Sequence, residues 1–224
     1  MKGVVLSMAQ SQVNLGTATS FAVLAGSGIT NTGPTTIIGD VGTFPTTTET
    51  GFGTVTIIGT NHAGDAVTQG AKNDLVTAYN DAAGRTPATT VSGDIGGQTL
   101  TPGVYNSSSS LGITGTLTLD AQGDPNAVFI FQIGSTLITA AENSNVALIN
   151  GAQACNVFWQ VGSSATLGTN TTFQGTILAL TSITATTGAV VNGRLLARNG
   201  AVTLDTNTIT ETICDTPQRG ISLW

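Results

Sequence analysis

The side chains able to carry reaction chemistry are thinly spread: twelve Asp and Glu, six Lys and Arg, one His and two Cys in 224 residues. General acid and base catalysis needs two carboxylates that converge on one bond, and no spacing here brings a pair together. Asp40, Asp94, Asp120 and Asp124 stand in glycine-containing stretches expected to be corners. There their side chains suit turn hydrogen bonds. His62 is alone at the start of an expected helix, behind Asn61, and reads as structural rather than as the base of a Ser-His-Asp set. One His and the separated Cys155 and Cys214 do not make a metal site. The pair Gly59-Thr60 lacks the Lys of a phosphate loop. No catalytic residue, metal ligand or cofactor is therefore expected, and the chain is not read as an enzyme.

What remains is threonine, 41 residues of it, set in a repeat. From Val157 to Thr210 one unit recurs three times with a period of 18 to 19 residues. Ala165, Ile183 and Val202 align in one column and Leu167, Ala185 and Leu204 in another, with polar residues between them. Alternation with period 2 predicts strands. Turning the apolar columns inward leaves Thr166, Thr184 and Thr203 in one outward column and Gly168, Thr186 and Asp205 in the next. Thr114 and Thr116 are expected to extend both columns upstream, as are Thr30 and Thr32 near the N-terminus. With rungs about 4.8 Å and columns about 6.6 Å apart, the result is a rectangular lattice of hydroxyls and methyls that approximates oxygen spacings in hexagonal ice. The plainer alternative is that Thr simply favours strands.

A lattice of this kind needs a stack of strands behind it. Each repeat carries a second apolar run, at Val157–Val161, 177–180 and 195–198. Fixed-period self-similarity then predicts a solenoid whose units bury their apolar sides only by stacking, and a parallel β-helix fits best. Residues 15–42 read as a further coil, with Asn31 turned inward and in need of hydrogen bonds, and 42–53 as a loop capping one end. The one convincing helix spans Asn61 to Gly84, with Ala63, Val67, Ala71, Leu75, Ala78, Tyr79 and Ala82 on its apolar stripe and Thr60 or Asn61 as cap. It is expected to lie lengthwise over a wall containing Phe129, Trp159, Leu178 and Leu196.

A formal charge of −6 with 8% charged residues gives no basic cluster for nucleic acid. No apolar run approaches a transmembrane helix, so no membrane partner is expected. The expected organisation is a residual export signal or leader over 1–13, one β-solenoid domain over 14–214 and a tail over 215–224. Two cysteines suit an exported protein. Their corners fall about three rungs apart, roughly 14 Å, so a disulfide requires the C-terminal tail to fold back; two buried free thiols are the alternative.

Several strings carry a resemblance. The segments 127–135, 150–162, 193–197 and 201–205, with Phe21-Ala22-Val23-Leu24-Ala25 and Ala78-Tyr79-Asn80-Asp81-Ala82, resemble the microbial β-solenoid ice-binding protein family over 15–214. The resemblance implies an all-β fold with one long helix: a right-handed, triangular, discontinuous β-helix with the helix along one face. It also implies a secreted monomer that binds an ice crystal surface through another flat face, depresses the freezing point and inhibits recrystallisation. Thr184-Ala185-Thr186-Thr187 and Thr32-Gly33-Pro34-Thr35 match the Thr-(Ala/Gly)-x-(Thr/Asn) pattern often found on that face, whereas the equivalents at Ala165 and Val202 do not. The rival readings are an extracellular polysaccharide-binding or adhesion module, which should add aromatic platforms, and a polysaccharide-cleaving β-helix enzyme.

Overall fold

The computed structural model describes residues 9–142 and 144–215. The expected leader falls largely, and the expected tail almost wholly, outside the described residues. Every named strand pairing is parallel, and the strands fall into two sheets that form three walls. One wall is a separate eight-stranded sheet running Glu49–Thr50, Ile29–Thr32, Val202–Asp205, Ile183–Ala185, Ala165–Leu167, Leu137–Thr139, Leu111–Ile113, Gly93–Asp94. The fourteen-stranded sheet supplies the other two walls because Thr172–Ala179 and Val190–Ala197 each turn a corner without a break. Gly193 makes that corner possible: its φ is +149°, and a Cβ there would lie 1.9 Å from the Gly175 carbonyl oxygen.

The rungs are out of chain order. Coil 21–38 stacks on the last coil, through Val23 with Leu195 and Thr30 with Thr203, and coil 40–58 stacks beyond it as the terminal rung. The stretch 42–53, expected to be loop, thus includes a paired strand, Glu49–Thr50. Asn31 is buried, and its amide nitrogen donates to Gly33 O, Gly51 O and Thr54 Oγ1, which meets the requirement of its inward position on the donor side, while Oδ1 is buried without a partner.

The helix spans Ala66–Gly84, starting five residues later than expected. Asp65 caps it, accepting from the Thr68 N–H, because 61–65 is used to close the terminal coil: the His62 N–H donates to Val41 O, and His62 Nδ1 pairs with Asp65 at 2.7 Å. Ala63 and Val67 are consequently exposed. Below them Ala71, Leu75, Ala78, Tyr79 and Ala82 are buried against Leu24, Val104, Ile130, Phe158, Leu178 and Leu196. At 1.5 Å per residue the helix is roughly 28 Å long and crosses about six rungs. Lys72 ties its first half to Ala197 O and Arg198 O, Tyr79 meets Gln160 in the middle, and Gln132 Nε2 caps its end on the carbonyls of Ala82, Ala83 and Arg85.

Phe129 and Trp159 do not face the helix. Strand alternation turns them into the solenoid, where Phe131 and Trp159 stack with centroids 3.9 Å apart, and the indole N–H donates to Gln174 O. Cys155 and Cys214 form a disulfide, Cα to Cα 5.4 Å, because 211–215 folds back toward the corner at Gln153, whose side chain accepts from the Asp215 N–H.

Candidate functional site

The turn reading of the carboxylates agrees with the geometry at Asp94, Asp120 and Asp124, whereas Asp40 opens the strand Asp40–Thr43 and bridges to the next rung. Asp40 accepts from the Thr60 N–H, Asp94 from Gly96 and Thr114, Asp120 from Gln122 and Asp124 from Asn126. His62 is engaged by Asp65, and Asp40 is 4.0 Å from its other nitrogen. No group of three metal-ligating side chains occurs among the described residues.

The eight-stranded wall is different. Its register places Thr50, Thr30, Thr203, Thr184 and Thr166 side by side on five consecutive rungs. Flanking residues at four of the five positions, such as Ile29 with Asn31, Val202 with Leu204 and Ile183 with Ala185, are buried, which aims those threonines outward, and Thr50 on the terminal rung is itself exposed. Among the described residues none of these five hydroxyls has a protein hydrogen-bond partner. None is a buried unsatisfied group either, so all five face solvent. At the strand spacing, the column is roughly 19 Å long.

Beyond Thr166 the column changes character. Ile138, 48% exposed, comes next, then Gly112 and Asp94. Thr114 is two residues past Gly112 and so belongs to the second column, with its hydroxyl donated to Asp94 at 2.5 Å. Thr116 is not on this wall. After the turn at Gly115 it begins the strand Thr116–Asp120 on the third wall, paired with Asn145. The expectation that these two residues extend both columns is thus corrected by one column: the corner consumes two residues that simple alternation counts as strand.

The second column runs Thr32, Asp205 and Thr186 on neighbouring rungs. Thr186 donates its hydroxyl to Leu167 O at 2.8 Å. Asp205 accepts from the hydroxyls of Thr187 and Thr206, and those bonds hold its carboxyl below the usual carboxylate range. Gly168, expected in this column, is buried: a Cβ there would be 2.5 Å from Ala140 O, and its N–H donates inward to Thr139 Oγ1. It is a close approach of two backbones rather than a surface position.

The third wall also bears threonines, Thr56, Thr36, Thr208, Thr172 and Thr116, but Val190 and Asn145 interrupt their column. Its neighbouring column mixes Ile58, Ile38, Thr210, Asn192, Gln174 and Ala147, side chains of unequal height. Residues 23–210 match the Ice-binding-like family. The chain belongs to that family. As an Ice-binding-like protein it is 54% identical over 206 residues to an ice-binding protein of Nostoc sp. (strain HG1), covering 91% of this chain and 76% of that one. A crystal structure of an ice-binding protein from an Antarctic biological consortium superposes with a TM-score of 0.91 at 50% identity, over 95% of this chain and 97% of that one. One from the Antarctic ascomycete Antarctomyces psychrotrophicus gives 0.87 at 43%, over 91% and 100%. Within this Ice-binding-like fold, sequence reasoning missed Thr50, whose short strand follows an irregular loop, and Thr206, which alternation left in the corner; Thr187 entered only through the matched Thr184-Ala185-Thr186-Thr187 string.

Proposed function

We propose that this Ice-binding-like protein adsorbs to ice through the eight-stranded wall, with Thr166, Thr184, Thr203, Thr30 and Thr50 as the central contact row. The observation that carries the reading is the register itself: five outward threonines on consecutive rungs, every hydroxyl without a protein partner among the described residues. Ice differs from liquid water chiefly in order, so hydrogen bonding alone discriminates poorly. A row of methyls at about 4.8 Å spacing, flanked by a second column about 6.6 Å away, holds first-layer water in the gaps while each hydroxyl anchors it. Freezing this layer onto the crystal removes apolar surface from liquid water. The ladder behind the row fixes the groups in advance, which limits the ordering cost of many weak contacts.

Adsorbed molecules then pin the advancing front and curve it, lowering the local freezing point and slowing recrystallisation. The function is binding rather than catalysis. We further propose that the protein acts outside the cell as a monomer, a setting in which the Cys155–Cys214 disulfide persists. Polysaccharide adhesion is disfavoured because the wall presents no exposed aromatic ring among the described residues, and Trp159 is wholly buried. The test is uptake of labelled protein into a growing ice hemisphere. Inclusion in the ice is expected; exclusion from ice together with retention on a polysaccharide column would overturn the reading.

A further inference from the structure

Asp205 interrupts the second column between Thr32 and Thr186, and a carboxylate in a row of hydroxyls reads at first as a defect. Its contacts indicate otherwise. The Thr187 hydroxyl donates to Asp205 Oδ2 at 2.6 Å and the Thr206 hydroxyl to Oδ1 at 2.9 Å. Both threonines are exposed and flank the corner immediately past the second column. The backbone that carries it is anchored from behind. The Asp205 N–H donates to Asn207 Oδ1 at 2.7 Å, and buried Asn207 donates in turn to Thr186 O and Ala189 O.

Thr206 adds an independent observation. Its φ is +54°, and it is the only β-branched residue among the non-glycine residues described with positive φ, the others being Gln122, Glu142, Asn150 and Asn170. That backbone region disfavours a branched side chain and suits Asn or Gly. Strain of this kind persists where the surroundings over-determine it, commonly at functional sites. Room for the hydroxyl comes from Gly33, where a Cβ would lie 2.3 Å from Thr206 Oγ1.

We propose that Asp205 is a positioning residue of the ice-contacting wall: its two oxygens fix the hydroxyls of Thr187 and Thr206 as a third rank beside the second column. The proposal rests on the ice-binding reading of that wall. A hydroxyl whose proton is held by a carboxylate presents only lone pairs outward, in a set direction. The third rank therefore accepts from O–H groups of the crystal, whereas the free hydroxyls of Thr166, Thr184 and Thr203 rotate to donate or accept. Fixing two rotors before contact removes their ordering cost at contact.

The decisive variant is Asp205→Thr, which completes the row between Thr32 and Thr186. If the carboxylate were a defect, this change would raise ice affinity and widen the freezing-point gap. We expect instead a loss of about fivefold in ice affinity, the scale of one net hydrogen bond, with an unchanged melting temperature. Asp205→Asn, whose amide nitrogen cannot accept, should fall between the two. Thr206→Asn should move stability and activity in opposite directions, raising the melting temperature while narrowing the gap, a split that a purely structural role would not give. In a Thr187→Val, Thr206→Val background, Asp205→Thr should cost nothing further. Undiminished activity of Asp205→Thr, or an additive loss in that background, would overturn the proposal. If wild type enters ice and Thr184→Tyr does not while Asp205→Thr is fully active, the ice reading stands and only this proposal fails. Exclusion of the wild type from ice removes both.

Discussion

Replacing Thr184 with Tyr tests the contact row from within. Thr184 lies between Thr203 and Thr166 in the column, and its neighbours along the strand, Ile183 and Ala185, are fully buried, so the larger side chain projects outward without touching the core. Exposed substitutions usually shift stability by no more than about 0.5 kcal/mol. The ring nonetheless stands above a plane that must meet a crystal flush. The adjacent rungs are about 4.8 Å away on each side and the second column about 6.6 Å away, so the gap it props open includes Thr203, Thr166 and Thr186. If each methyl contributes about 0.8 kcal/mol on leaving liquid water, the five-membered row supplies roughly 4 kcal/mol and loss of Thr203, Thr184 and Thr166 removes about 2.4 kcal/mol. That corresponds to a roughly fifty-fold weaker adsorption. The assay is the freezing-point gap by nanolitre osmometry alongside a thermal melt. A variant that melts as wild type and keeps its gap within about twofold, a factor far below that fifty-fold loss, would refute the reasoning. The choice of wall would be wrong if Thr36→Tyr, on the third wall, abolished activity instead.

Leu75→Asp places a carboxylate under the helix, where Leu75 is fully buried. The cost is several kcal/mol, and a folded variant melting like wild type would show that the helix does not cover that wall. Cys214→Ser opens a crosslink across 59 residues; chain entropy gives a loss of about 4 kcal/mol as an upper figure, read as a lower urea midpoint with ice uptake intact at low temperature. Burial, reinforced by Arg198, pushes the Lys72 amine down from 10.5 to about 8. Between those values the unfolded chain binds more protons than the native one, so stability should rise with pH from about 8 to 10.5. The neutral amine keeps its donors on Ala197 O and Arg198 O. Lys72→Met should flatten that slope in urea melts and, by leaving two carbonyls without a donor, cost about 1–3 kcal/mol.

Period and alternation along the chain were enough to specify the strands of the threonine wall, because each such strand has one face in the core and one in water, and a single-residue slip would invert every side chain. The columns through Thr166, Thr184 and Thr203, the inward Asn31 and the helix stripe at Ala71, Leu75, Ala78 and Ala82 all follow from that rule. The same rule was silent where both faces are apolar. In Phe129–Ile133 and Val157–Val161 every residue is buried, so only packing distinguishes Trp159, inside the solenoid, from Phe158, under the helix. Corners defeated it differently: the turn at Gly115 moved Thr116 to another wall, and the close approach at Gly168 took that residue off the surface. Contacts between residues far apart in sequence were beyond any local pattern. The stacking of coil 40–58 beyond coil 21–38, which adds Thr50 to the row that Thr30 was expected to extend, and the fold-back that joins Cys214 to Cys155 depend on which exposed edge remains to be covered once the helix has spanned the stack.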